Sequence, residues 1–264
     1  RFWHKVLYDF GVVSTKEPFR RLVNQGIILG EDGQKMSKSR GNVINPDEVI
    51  DQHGADTLRL YEMFMGPLEQ SKSWAHRGVE GVYRYLGRVW RLVVDDQGKL
   101  KGDIQDTAPT DQEQRLMHRL TKKVTGDLER MAFNTAISAF MVYVNEMMKL
   151  KIKSKVSIEN FLILLSPFAP HMAEELWKQL GHKESISLQR WPTFDAKWIE
   201  DDEIELVIQI NGKVRSRIKV AANSADDVVK EKALGDSRVK EFLNGKTVRK
   251  VIVVPKRLVN VVIG

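Results

Sequence analysis

Cysteine is absent from these 264 residues, which excludes disulfides and thiolate zinc sites and fits a reducing compartment. Long apolar runs are missing too. Nothing approaches the ~18 consecutive apolar residues of a membrane-spanning helix, so no membrane partner is expected. Arg1-Phe2-Trp3-His4-Lys5 lacks the extended apolar core of a secretion signal. With no methionine at its start, the chain is expected to begin inside a longer protein. A cytoplasmic setting is expected, with an organellar stroma or matrix as the other possibility. No GxxxxGK[ST] phosphate loop occurs. His4, His53, His76, His118, His171 and His182 show no metal-ligand spacing, so no protein-bound metal is expected.

What is present suits a soluble globular chain of one to three domains: 42% apolar residues and 29% charged ones. The charge is unevenly placed. Residues 1–66 and 67–203 are each neutral, whereas 204–264 hold thirteen basic against six acidic residues, the whole net charge of +7. A polyanion is the natural partner of that last segment.

Three segments follow from the patterning. In 1–66, the apolar pairs within 19–29 read as a strand or helix end feeding a glycine-flanked loop. Asn45-Pro46-Asp47-Glu48 then has the chemistry of a helix start, with Asn as cap, Pro at the first position and acids in the first turn. Gly54 should end that helix and Ala55-Asp56 begin another. Residues 67–203 read as about five helices and a linker. Trp74, Gly78, Val82, Leu86, Val89 and Val93 keep steps of three and four, and Thr110 with Glu113 forms a capping box. Asn134 is the expected cap of a third helix. The Met and aromatic residues here are expected in the core, and Arg84, Arg88 and Arg91 along one solvated stripe.

Residues 204–264 alternate like strands on both sides of Asn211-Gly212. A two-residue turn would set Leu206 against Arg217, mixing the faces. A three-residue turn is therefore expected, pairing Leu206 with Ser216, Ile204 with Ile218, and Glu205 with Arg217. Lys213, Arg215, Arg217 and Lys219 would then form one basic row. With helices near 224–243 and strands near 247–254 and 258–263, a small ββααββ domain is expected. The fold class is thus multidomain α+β.

The stretch Gly30 to Glu48, GEDGQKMSKSRGNVINPDE, brings two ammonium groups and two hydroxyls together where nothing can bury them. That chemistry suits a phosphate chain, because lysines are mobile point charges able to follow shifting oxygens. Its core, Lys35-Met36-Ser37-Lys38-Ser39, resembles the KMSKS motif of class I aminoacyl-tRNA synthetases, and so does its continuation, residues 40–47. Residues 165–177, LSPFAPHMAEELW, resemble the helical anticodon-binding domain of the leucine, isoleucine and valine enzymes. Residues 1–5, 209–215 and 253–260 are similar to leucyl-tRNA synthetases of bacterial or organellar type.

The resemblance implies that residues 1–66 end a class I catalytic α/β domain, 67–203 form an anticodon-binding-type bundle and linker, and 204–264 bind tRNA. By the same resemblance Lys38 and Lys35 are catalytic, and Lys35, Met36, Ser37, Lys38 and Ser39 bind ATP, supplied as its Mg2+ complex. Lys213, Arg215, Arg217, Lys219, Arg249, Lys250, Lys256 and Arg257 would contact tRNA(Leu). A HIGH motif, a leucine pocket and an editing domain are not found, since His53-Gly54-Ala55-Asp56 follows the lysine loop and opens a helix. Leucine activation would need a further N-terminal portion, in the same polypeptide or as a separate subunit. The other reading open at this point is a non-catalytic RNA-binding module, or the corresponding part of an isoleucine or valine enzyme.

Overall fold

The computed structural model describes residues 1–199, 203–221, 224–244, 246–254 and 257–264. The chain separates into two compact units, Arg1–Thr193 and Phe194–Gly264. The 66/67 division falls inside the first.

The first unit opens with α1 (Phe2–Asp9), a helix with no buried residue that the apolar patterning did not announce. Of the apolar pairs in 19–29 only β1 (Ile28–Leu29) becomes a strand, parallel to β2 (Lys72–Ser73). α2 (Pro46–His53) starts as its residues dictate: Asn45 Oδ1 accepts the Asp47 N–H at 3.1 Å, and Pro46 takes the first position. Gly54 separates it from α3 (Ala55–Phe64). Five further helices then pack together: α4 (His76–Val93), α5 (Asp111–Glu129), α6 (Phe133–Met147), α7 (Lys155–Leu165) and α8 (Pro170–Gln179). The two-residue strands β3 (Ile104–Gln105) and β4 (Lys153–Ser154) pair in parallel at one end.

The expected aromatic core is there. Phe140, Phe161 and Phe168 are buried, with edge-on rings 5.1 and 6.0 Å from Phe140. Trp74 is buried against Tyr61. The capping box forms, and Glu113 exceeds it: one carboxylate oxygen takes the Thr110 N–H while the other takes the Ser154 N–H at 2.7 Å. Trp191 of the expected linker packs back, donating to Thr125 Oγ1 at 2.9 Å. Asn134 is not the cap of α6. Ala132 holds that position after a left-handed Met131 turns the chain, which puts Asn134 inside the helix.

The second unit runs β5 (Glu203–Ile210), β6 (Lys213–Ala221), α9 (Asp226–Gly235), α10 (Ser237–Leu243), β7 (Val248–Val254) and β8 (Leu258–Ile263). The strands lie in the order β6-β5-β8-β7, with β5 and β8 parallel. Leu206, Ile208, Ile218, Val220, Val259 and Val261 are buried against Val229, Ala233 and Val239 of the helices.

The hairpin corrects the expected register. Asn211 and Gly212 are both left-handed, φ 49° and 79°, and form a two-residue turn. Leu206 nonetheless faces Ile218, because the register shifts beside Ile208 and leaves Arg215 as an extra residue. Parity alone could not foresee this, since a bulge restores the faces that a two-residue turn would mix. The turn is also pinned from outside: Asn211 Oδ1 accepts the Ile263 N–H at 3.0 Å, and Asn260 Oδ1 accepts the Gly212 N–H at 3.2 Å.

Candidate functional site: the lysine loop and the basic sheet

An antiparallel bridge between Leu29 and Lys35 folds residues 30–34 into a tight turn, closed by Gly30 N–H donating to Gln34 O at 2.8 Å. Any side chain at position 30 would press on the loop's own scaffold. A Cβ there would sit 2.7 Å from Asp32 Oδ1 and 2.9 Å from Asn42 Nδ2. Those two side chains hold the loop. Asn42 Nδ2 donates to both Asp32 oxygens at 3.1 Å, and Asn42 Oδ1 accepts the Ser37 N–H at 2.9 Å. The Gln34 backbone N–H and then the Asn42 amide hold the Asp32 carboxyl below its ordinary pKa, so it remains an anionic acceptor.

Glu31 ties the turn to the bundle by accepting the His76 N–H at 3.1 Å. Met36 is half-buried against the large core, anchoring the middle of the motif. Ser37 and Ser39 share a hydroxyl contact at 3.2 Å, and residues 38–40 make one 3-10 turn that a left-handed Gly41 ends. Lys35 and Lys38 are exposed, and their ammonium groups have no ion-pair or hydrogen-bond partner among the described residues. The chemistry of this arrangement is plain: neutral amides, one carboxylate and a packed thioether fix the backbone, leaving two ammonium groups to meet an anion. Asn42 and Asp32 were not singled out in the sequence, where the Asp32-Gly33 turn pair was the available signal.

The basic candidates of the second unit divide by what they already touch. Arg217 reaches Glu205 at 3.2 Å, although the register sets Glu205 opposite Lys219. The bulge puts Arg215 over the Phe242 ring, 4.5 Å from its centroid. Lys213 pairs with Ile210 and so leaves the row expected on the opposite face. Lys219, Arg249, Lys250 and Arg257 are exposed. Arg249 is the extra residue of a second bulge, between Val248 and Lys250. Lys256 lies outside the described residues. Among the described residues no group of three or more His, Asp or Glu side chains converges on a metal position, and no helix is long and apolar enough to cross a membrane.

Comparison with known proteins gives the class that the lysine loop and the helices define. Residues 1–74 match the family "tRNA synthetases class I (I, L, M and V)", and residues 115–230 match the "Anticodon-binding domain of tRNA ligase". These two segments are thus of class I tRNA-synthetase and tRNA-ligase anticodon-binding type. Over its full length it is similar to the agnB2 LeuRS of Agrobacterium radiobacter K84, solved as a ternary complex with tRNA and LeuAMS. The two are 31% identical with a TM-score of 0.76, over 100% of this chain and 36% of that one. The chain therefore spans about a third of the length of that synthetase.

Proposed function

We propose that the chain is the part of a leucine–tRNA ligase that supplies the ATP-phosphate loop and the tRNA-binding modules. The observation that carries the reading is the Asn42–Asp32 scaffold holding Lys35 and Lys38 exposed and unpaired. In adenylate formation a leucine carboxylate oxygen attacks the α-phosphorus of ATP and pyrophosphate leaves with its bridging oxygen. The charge that builds on the departing phosphates is what two mobile ammonium groups neutralise, with Lys38 as the main contributor and Lys35 beside it. Met36, Ser37 and Ser39 complete the nucleotide-side segment, and Mg2+ arrives with ATP.

Residues 1–66 then act as the end of the catalytic domain, 67–203 as the anticodon-binding-type bundle, and 204–264 as the tRNA(Leu)-binding module in the cytoplasm or an organelle. The rest of the catalytic centre, the leucine pocket included, belongs to a further portion. Support for that comes from Phe2, Trp3, Phe10, Phe19 and Leu22, all exposed in the segment before the loop. The test is leucine-dependent ATP–pyrophosphate exchange by this chain joined to the N-terminal portion, beside isoleucine, valine and methionine. Exchange with leucine is expected. Exchange driven by another of the four sinks the leucine assignment, and no exchange with any sinks the catalytic one.

A further inference from the structure

In the first unit a cavity of about 650 Å³ opens between the α2–α3 junction, the middle of α4 and the start of α8. Its walls are mostly apolar. Tyr83 and Trp90 give them aromatic faces, and Gly87 leaves one stretch of α4 without a side chain. Arg84 and Arg91 line it too, seven residues apart on one helix and hence on one face. Neither has a carboxylate or hydrogen-bond partner among the described residues. They therefore do more than run along a solvated stripe: two free guanidinium groups flank an aromatic-lined hollow.

A second observation comes from His53. Its ring sits edge-on to Tyr83 at 5.4 Å, and its Nδ1 is buried without any hydrogen-bond partner. The one carboxylate of the lining, Asp56, is already engaged by the His171 and Met172 N–H groups and the His171 ring at the start of α8. Its charge is offset there by the positive end of that helix. What remains is an apolar slot with planar walls and two cations.

We propose that this cavity binds one unstacked nucleotide. The base lies against Trp90 and Tyr83, and its phosphate rests on Arg84 and Arg91. The nucleotide is either free or part of a bound RNA, and the RNA source rests on the tRNA-binding reading above.

The test titrates the full 264-residue chain with AMP, UMP, a single-stranded RNA pentamer and unfractionated tRNA, for wild type, Gly87→Leu and the double variant Arg84→Ala, Arg91→Ala. Gly87→Leu fills the hollow, keeps every charge and raises helix propensity, so folding is not at risk. Circular dichroism checks this. Both variants are expected to weaken mononucleotide and pentamer binding by about tenfold or more, the scale of one lost base–aromatic contact. A matching loss for tRNA assigns the nucleotide to tRNA, whereas unchanged tRNA binding assigns the cavity to free nucleotides. Mononucleotides and pentamer bound equally by wild type and Gly87→Leu, or by neither, overturn the proposal. Failure of wild type to bind tRNA while mononucleotides still bind counts against the tRNA reading alone.

Discussion

The two units treat ionised side chains in opposite ways. The first buries Asp56, Glu113, Asp127 and Lys153, whereas in the second Ser216 is the sole buried polar residue among those described. Each buried carboxylate of the first unit is fully employed. Asp56 accepts from the first turn of a helix more than a hundred residues away, Glu113 joins α5 to β4, and Asp127 holds Lys123, Arg130 and Thr135. The second unit fills its interior with aliphatic side chains and keeps its surplus of cations outside. A burial of this kind is tolerated only when every lone pair is met. The helical unit can therefore use charge to fix long-range geometry, while the sheet unit uses it on its surface, where salt screens it.

The contrast can be broken at several points, beginning with the largest effect. Lys38→Ala in the joined enzyme should lower the pyrophosphate-exchange rate by roughly 10²–10³-fold, the scale of one lost preorganised charge. Its urea midpoint should stay at the wild-type value, because the exposed Lys38 ammonium has no hydrogen-bond or ion-pair partner among the described residues. A loss within a few-fold would remove the loop from the chemistry. Asp56→Ala leaves the part-buried His171 and Met172 N–H groups without their acceptor and should cost about 1 kcal/mol in denaturant unfolding. An unchanged midpoint would show that this buried charge fixes nothing.

Asp127 gives a pH signature. Burial alone would raise its pKa, but hydrogen bonds from Lys123, Thr135 and Arg130 outweigh that and hold it below the ordinary value. A carboxyl with a depressed folded pKa contributes stability that is present above the unfolded value and lost as pH falls through the folded one. The loss therefore lies below about pH 4. Asp127→Asn should cost about 1 kcal/mol at pH 7, discounted for its exposed partners, and should flatten the acid limb of a stability–pH curve. An acid limb identical to wild type would refute the assignment.

The smallest effects belong to the sheet. Arg249→Glu or Lys250→Glu should each reduce the slope of log affinity for tRNA against log salt by roughly one unit. Arg217→Glu, whose cation already faces Glu205, should change it less. Equal slopes for all three would erase the distinction between engaged and free cations.

Much of the helical unit was legible because its signals are local. Asn45 and Thr110 cap helices with their own next residues, and Trp74 and Val82 announce a buried face by spacing. Asp56 was not legible in the same way. It reads as an acid in a first turn, and its partners sit at the start of α8, brought near only by packing. The lysine loop stood out by its resemblance to a family motif, since its residue types alone equally fit a solvated turn, and its scaffold depends on Asn42 folding back onto Asp32 across ten residues. The hairpin register failed for a related reason. Nothing in the string Lys213 to Arg217 says which residue will be extra, because the choice is made by Asn211 and Gly212 bonding β8 from the far side of the sequence.

Both bulges lie on the outermost strands, β6 and β7, and in each the extra residue is an arginine. An outer strand presents unpaired peptide groups that can recruit another chain, and a kink carrying a charge is an effective deterrent. Arg215 and Arg249 thus guard the two open sides of a sheet that cannot close on itself. A kinked, charged edge of this kind disfavours the addition of a further strand from another copy.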